Sequence, residues 1–135
     1  MFITRFTHKD GQFEDYLYHT EQEAQNHLEL FKNDDSGLYK NIAVINEQNY
    51  VLCILPFIDG VPDEIVKTGS IVRLRDEYAS EEERKRNDLF VVKNMNEWSG
   101  RINITCLTSN MALKPTETVG VEMVRVVFDN DYLQK

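Results

Sequence analysis

A single helical pattern stands among strand-like segments in the first half of this 135-residue chain. Thr20 and Glu23 are spaced as in a capping box, in which each side chain bonds the backbone amide of the other residue. Apolar and ring-bearing residues then recur at helical spacing, at Ala24, His27, Leu28 and Phe31. The run of small polar residues at 33–37 is typical of a helix end. The pattern therefore predicts one amphipathic helix.

Alternating apolar and polar residues on both sides of this helix predict strands. Residues 2–8 and 13–19 alternate in this way, and Asp10-Gly11, a frequent hairpin turn, lies between them. A two-residue turn places four apolar residues on one face, which we predict to be the core face: Phe2, Phe6, Phe13 and Leu17. Residues 39–45 and 50–57 predict two more strands. Residues 1–57 are therefore interpreted as a ββαββ subdomain, with one helix on an antiparallel sheet.

The rest of the chain has a strand-and-turn pattern. Residues 58–69 contain two glycines and one proline, which is typical of a connector. Short strand-like runs separated by turns then predict a small all-β barrel over residues 70–128. Residues 129–135 are interpreted as a C-terminal tail.

Three segments of the second half resemble SH3-like barrels of the KOW type, namely residues 69–74, 90–92 and 100–104. Residues 114–118 resemble the short 3₁₀ step that precedes the last strand of such barrels. Together with the pattern of residues 1–57, this resemblance leads to a predicted α+β fold class, in which the ββαββ subdomain is followed by a small SH3-like barrel. It also implies contacts with RNA or ribosomal partners, which KOW-like barrels often make.

The chain as a whole resembles uncharacterised small proteins of phages and conjugative elements of low-GC Gram-positive bacteria. The segments at 30–39 and 114–119 carry this resemblance. Some small acidic proteins from the same gene neighbourhoods block host defence nucleases. The resemblance implies an accessory protein of a mobile genetic element.

Charge favours a protein partner over nucleic acid. Acidic side chains outnumber basic ones by 23 to 15, and the formal net charge is −8. This balance argues against a ligand bound mainly through its phosphates. It favours a non-enzymatic protein-binding role, including inhibition of a basic nuclease by nucleic-acid mimicry. The candidate contacts are five acidic residues: Glu21, Glu23, Asp34, Asp35 and Glu47.

The alternative function is a nucleic-acid-binding module that uses the predicted barrel. Its candidate contacts are basic and aromatic residues on or beside the barrel strands: Arg73, Arg75, Trp98, Arg101 and Arg125. Residues 1–57 carry nine acidic and four basic side chains, whereas residues 58–135 carry fourteen and eleven. The charge argument against nucleic acid is therefore weaker for the second half.

Patterns typical of enzymes, cofactor sites and export are not found in the sequence. The three histidines, His8, His19 and His27, lack the close spacing of a metal motif, so no metal and no cofactor are predicted. Cys53 and Cys106 lie in apolar strand-like runs and are predicted to be buried thiols. We therefore expect a protein that is not an enzyme, is cytoplasmic and does not contact a membrane.

Overall fold

The computed structural model describes residues 1–96, 100–108 and 116–128. Strands dominate this part of the chain. They are β1 (Phe2–His8), β2 (Phe13–Tyr18), β3 (Tyr39–Ile45), β4 (Val51–Ile58), β5 (Val61–Pro62), β6 (Val66–Lys67), β7 (Ile71–Leu74), β8 (Phe90–Asn96), β9 (Arg101–Cys106), β10 (Thr116–Gly120) and β11 (Val124–Phe128). The helices are α1 (Glu21–Glu29), α2 (Glu81–Arg86) and a 3₁₀ turn (Val121–Met123).

The first sheet is antiparallel and carries α1 on one face. Its strand order is β2-β1-β3-β4-β5, and β6 also pairs with β4. The Thr20 hydroxyl accepts a hydrogen bond from the Glu23 amide, so α1 begins where the sequence predicts. The predicted stripe is the buried side of α1, because Ala24 and Leu28 have no exposed surface. These two residues pack on one face of β1, β3 and β4 in a helix-side core: Phe6, Ala24, Leu28, Ile42, Val44, Cys53, Leu55 and Phe57.

The second sheet is also antiparallel, with the order β10-β9-β8-β7-β11. Its inner face packs on the face of the first sheet that is turned away from α1. Both sheets contribute to this shared core. The residues from the first sheet are Ala43, Ile45, Val51, Ile54 and Val66. The residues from the second sheet and the 3₁₀ turn are Val72, Phe90, Val92, Met95, Ile102, Ile104, Cys106, Val119, Val121 and Val124. Antiparallel sheets commonly bury one face in this way.

The predicted α+β fold class is wrong. The described chain is mostly β, with two antiparallel sheets and only one helix longer than six residues, and it is not a ββαββ unit followed by a separate SH3-like barrel. The physical reason is that one face of β3 and β4 remains apolar after α1 has covered the other. That second face is buried against β7 to β11. The predicted boundaries at 57, 58–69 and 70–128 stay predictions, and residues 129–135 lie outside the described residues.

The predicted register of the first hairpin is also wrong. Its loop has three residues, because the His8 amide bonds the Gln12 carbonyl at 2.7 Å and Gly11 closes the turn at a φ of +94°. A three-residue loop with glycine in the left-handed region is a common alternative to the two-residue turn. The one-residue difference moves Phe13 and Leu17 to the face opposite Phe6.

We predict that the two sheets unfold together. Ile54→Ala in the first sheet and Ile104→Ala in the second should each lower the free energy of unfolding by about 2–5 kcal/mol, since both side chains lie in the shared core. Urea denaturation followed by far-UV and near-UV circular dichroism should give one transition. Val61→Ala, at an exposed position, is the control and should change stability by less than about 0.5 kcal/mol. Two transitions, with each variant shifting only one, would contradict the shared core.

Candidate functional site

Four of the five acidic residues predicted to bind a partner lie at the two ends of α1. Glu21 and Glu23 are in its first turn, whereas Asp34 and Asp35 follow its last turn. Glu47 lies in the turn between β3 and β4 and forms an ion pair with the N-terminal amine, whose hydrogen bond lowers the pKa of the Glu47 carboxyl. Their role in partner binding stays a prediction.

Asp34 and Asp35 line a cavity of about 550 Å³ at the end of the first sheet. The Asp34 carboxylate accepts a hydrogen bond from the Ser36 hydroxyl at 2.5 Å, as expected for an aspartate in a turn. Lys9 and Lys32 line the same cavity. Because these two cations oppose the carboxylates, this end of the molecule presents a mixed rather than a purely acidic surface.

Strand β2 forms one edge of the first sheet and carries large exposed apolar side chains. Phe13 is 50% exposed and Leu17 is 63% exposed, although the sequence predicts both in the core. They share a face with Ile3 on β1, which packs against the shared core. The second sheet therefore covers the β3 and β4 side of this face and leaves β2 uncovered.

A buried arginine supports this uncovered face. Arg5 on β1 is 6% exposed and forms a bidentate ion pair with Asp15 on β2, with both nitrogen–oxygen distances at 2.6 Å. The Arg5 guanidinium also lies 4.1 Å from the centre of the Phe13 ring. Bidentate and cation–π contacts are geometrically specific, so Asp15 and Phe13 are held in place. Sequence reasoning missed this arrangement because it depends on the hairpin register.

The other face of β2 packs beside α1. The Tyr16 hydroxyl donates to the Glu14 carboxylate at 2.9 Å, and His8 lies 3.2 Å from the same carboxylate. The hydrogen bonds with Tyr16 and His8 lower the pKa of Glu14, and the hydrogen bond with Glu14 raises the pKa of Tyr16. At pH 7 the edge therefore carries an ionised Glu14 and a neutral Tyr16.

Three of the arginines named for nucleic-acid binding line one cavity of about 470 Å³ beside β7 and β11. Arg73 on β7 lies directly opposite Arg125 on β11. Arg75 lies two residues after Arg73 in the sequence. Arg75 forms an ion pair with Asp63, which lies between β5 and β6. The same cavity is lined by three acidic residues: Glu64, Asp76 and Glu77. The structure therefore brings Arg73, Arg75 and Arg125 together.

The remaining two predicted nucleic-acid contacts are not part of this cavity. Arg101 is exposed on β9, which is separated from β7 by β8. Trp98 lies outside the described residues.

The histidines and cysteines lie in separate environments. Within residues 1–96, 100–108 and 116–128, no three metal-ligating side chains are close enough to hold an ion. Cys53 and Cys106 are buried and unpaired in different cores, which confirms the prediction of buried thiols. Burial raises the pKa of the Cys53 thiol to about 12, so it remains protonated at pH 7.

His27 is the histidine that is enclosed by other rings. Its Nδ1 lies 2.7 Å from the Tyr18 hydroxyl, and its ring centre is 4.9 Å from that of Phe6 and 5.0 Å from that of Tyr16. Burial lowers its pKa. The ring is therefore a neutral packing element between α1 and β1.

Comparison with known proteins identifies no relative of this chain, so a proposed function has to be argued from the fold and its surface. A scan against protein-family models and searches of curated proteins and of solved structures find no match to this chain. In the described segments, no helix has the length and apolar character needed to cross a bilayer.

We predict that His27 makes the fold less stable below neutral pH. Its pKa in the folded state lies below the unfolded value of about 6.5, so the unfolded chain binds the proton more tightly. The free energy of unfolding should therefore fall as the pH decreases from 6.5 towards the folded-state pKa. Urea denaturation at several pH values above 5 measures this, because carboxylates titrate mainly below that range. His27→Gln should remove the pH dependence, whereas the control His19→Gln, at an exposed position, should retain it. Equal slopes for the two variants would contradict the assignment.

Proposed function

We propose that this chain is a protein-binding protein, not an enzyme, and that its contact surface is the outer edge and uncovered face of β2. The observation that supports the proposal best is the exposure of Phe13, Tyr16 and Leu17, between 42% and 63%, on one six-residue edge strand. Natural edge strands are commonly shortened, charged or covered, because an exposed apolar edge pairs with other chains. An edge of this kind is suited to receiving an extended segment of a partner.

The backbone of β2 supports strand addition. His8 and Gln12 form a hydrogen-bonded pair, so the alternation of an antiparallel ladder directs the amides of Glu14, Tyr16 and Tyr18 towards β1. The amides of Phe13, Asp15 and Leu17 then point away from the sheet. Within the described residues, no strand pairs with this outer side of β2. A partner segment that adds here gains main-chain hydrogen bonds.

The side chains favour a partner segment of particular chemistry. Phe13 and Leu17 lie on the uncovered face with Asp15 between them, and Glu14 is ionised beside them on the other face. Apolar side chains opposite Phe13 and Leu17, combined with a lysine or arginine near Glu14, complement this surface. Residues 1–57 carry nine acidic and four basic side chains, which also favours a basic partner.

A basic nucleic-acid-processing enzyme is the partner class that this charge favours most, in agreement with the resemblance to mobile-element proteins. Glu21 and Glu23 follow within five residues of the end of β2, so they would border the contact. Such a partner would be inhibited if the contact covered its nucleic-acid channel. The role as an accessory protein of a mobile element is part of this proposal.

A backbone substitution tests the contact surface directly. Leu17→Pro removes an amide that points outward and leaves the hydrogen bonds between β1 and β2 intact. Leu17→Thr is the matched variant, because it removes the apolar side chain and retains the amide. Peptides selected for binding from a random display library should alternate apolar and basic residues. They should bind Leu17→Pro at least tenfold more weakly than wild type, and Leu17→Thr with an intermediate loss.

Val61→Thr is the control for this experiment, because Val61 is an equally exposed apolar residue, 62% exposed, on β5 at the opposite side of the first sheet. It should bind the peptides as wild type does. Amide chemical-shift changes should concentrate in β2. Peptides that bind the proline variant with unchanged affinity, or that shift residues of another strand, would contradict strand addition at this edge.

A further inference from the structure

We propose that the cavity beside β7 and β11, lined by Arg73, Arg75 and Arg125, binds the phosphate monoester group of a small hydroxylated molecule. This site goes beyond the proposed protein contact. Glu64, which helps to line it, lies between β5 and β6, at the side of the first sheet opposite β2. The two surfaces are therefore separated by the inner strands of that sheet.

The first argument is the pairing of two like charges. Arg73 and Arg125 are direct cross-strand partners, so their Cβ atoms are about 4.5–5.5 Å apart and their side chains lie on the same face of the sheet. Like charges in this relation destabilise a sheet. Neither arginine has an ion-pair partner in the described part of the chain. An anion between the two guanidinium groups would convert the repulsion into two attractions.

The second argument is the state of Arg75. Its ion pair with Asp63 holds it in a partly buried position, with 19% of its side chain exposed. Its Nε atom is buried and lacks a hydrogen-bond acceptor among the described residues. A buried donor without an acceptor destabilises the folded state. This cost accompanies the placement of Arg75 in the cavity wall, where the ion pair with Asp63 holds its side chain.

The shape of β11 gives a third argument. The strand has a bulge between Val126 and Phe128, and the extra residue, Val127, lines the cavity. Bulges are frequent beside binding sites because they redirect side chains and bend the strand. The cavity volume of about 470 Å³ lies within the range of small-molecule sites, about 300–1,000 Å³.

The acidic residues in the cavity favour a small molecule over a nucleic acid as its ligand. Glu64, Asp76 and Glu77 line it together with the arginines. A strand of RNA or DNA would place further phosphates near these carboxylates and would be repelled. A compact ligand with one phosphate avoids this repulsion, and its hydroxyl groups can donate hydrogen bonds to the same carboxylates. Arginine suits the phosphate, because its planar fork binds phosphate oxygens in a bidentate manner.

The test uses ribose 5-phosphate as the probe and ribose as its phosphate-free control, with the full chain in isothermal titration calorimetry at low salt. We expect ribose 5-phosphate to bind with a Kd of about 1 mM or tighter and ribose to show no binding. Arg73→Gln and Arg125→Gln should each weaken binding at least tenfold. Arg101→Gln removes the same charge from an exposed position outside the cavity, and it should bind as wild type does.

A stability measurement distinguishes a binding site from a structural arginine pair. Without ligand, Arg73→Gln and Arg125→Gln should raise Tm, because each relieves the repulsion across β7 and β11. Ribose 5-phosphate should raise the Tm of wild type and leave that of both variants unchanged. A lower Tm in both variants, or no binding of either ribose 5-phosphate or inorganic phosphate by wild type, would overturn the proposal.

Nucleic acid is the competing outcome. Tight binding of a single-stranded RNA that weakens steeply with salt, and that Arg101→Gln reduces as much as Arg73→Gln does, would identify an extended basic surface. That result would overturn the small-molecule assignment. Because the β2 variants leave this cavity intact, the failure of either proposal does not affect the test of the other.

Discussion

Burial of the second face of the first sheet is the constraint on which the rest of this structure depends. Helix α1 covers one face of β3 and β4, and their other face carries Ala43, Ile45 and Ile54, all nearly inaccessible to solvent. Two halves of this size would each be near the lower limit for independent folding. Packing β7 to β11 on that face gives them one large core instead of two small ones. The protein is therefore organised around a contact between sheets.

The extent of that contact determines which part of the first sheet stays exposed. The second sheet covers the face formed by β3 and β4, so the β1–β2 hairpin extends beyond it. Arg5 is buried where the cover ends, and its bidentate pair with Asp15 satisfies a charge that the shared core could not accept. Beyond this pair, Phe13 and Leu17 remain in contact with water. An apolar surface is thus retained on a strand whose outer edge pairs with no other strand among the described residues.

At the cavity beside β7 and β11, two arginines face each other across neighbouring strands, an arrangement that lowers stability. Val72 on β7 and Val124 on β11 are buried in the shared core. Because side chains alternate along a strand, the neighbouring residues Arg73 and Arg125 point outward. The strand pairing places these two arginines opposite each other. If stability were the only requirement, an uncharged residue at either position would remove the repulsion. Strain and unsatisfied groups that persist in this way are frequently associated with binding sites. This reasoning leads to a phosphate ligand at the cavity.

The sequence by itself determined the local structure. The spacing of Thr20 and Glu23 set the start of α1, and the stripe containing Ala24 and Leu28 set its buried side, because capping and helical periodicity act within a few residues. Only the tertiary structure decided the hairpin register, since loops of two and three residues are both favourable at Asp10-Gly11 and differ in which face Phe13 occupies. It also decided that the two sheets share a core and that Arg73 meets Arg125. Apolar alternation shows that a strand has a buried face, but it does not specify which distant strand covers that face.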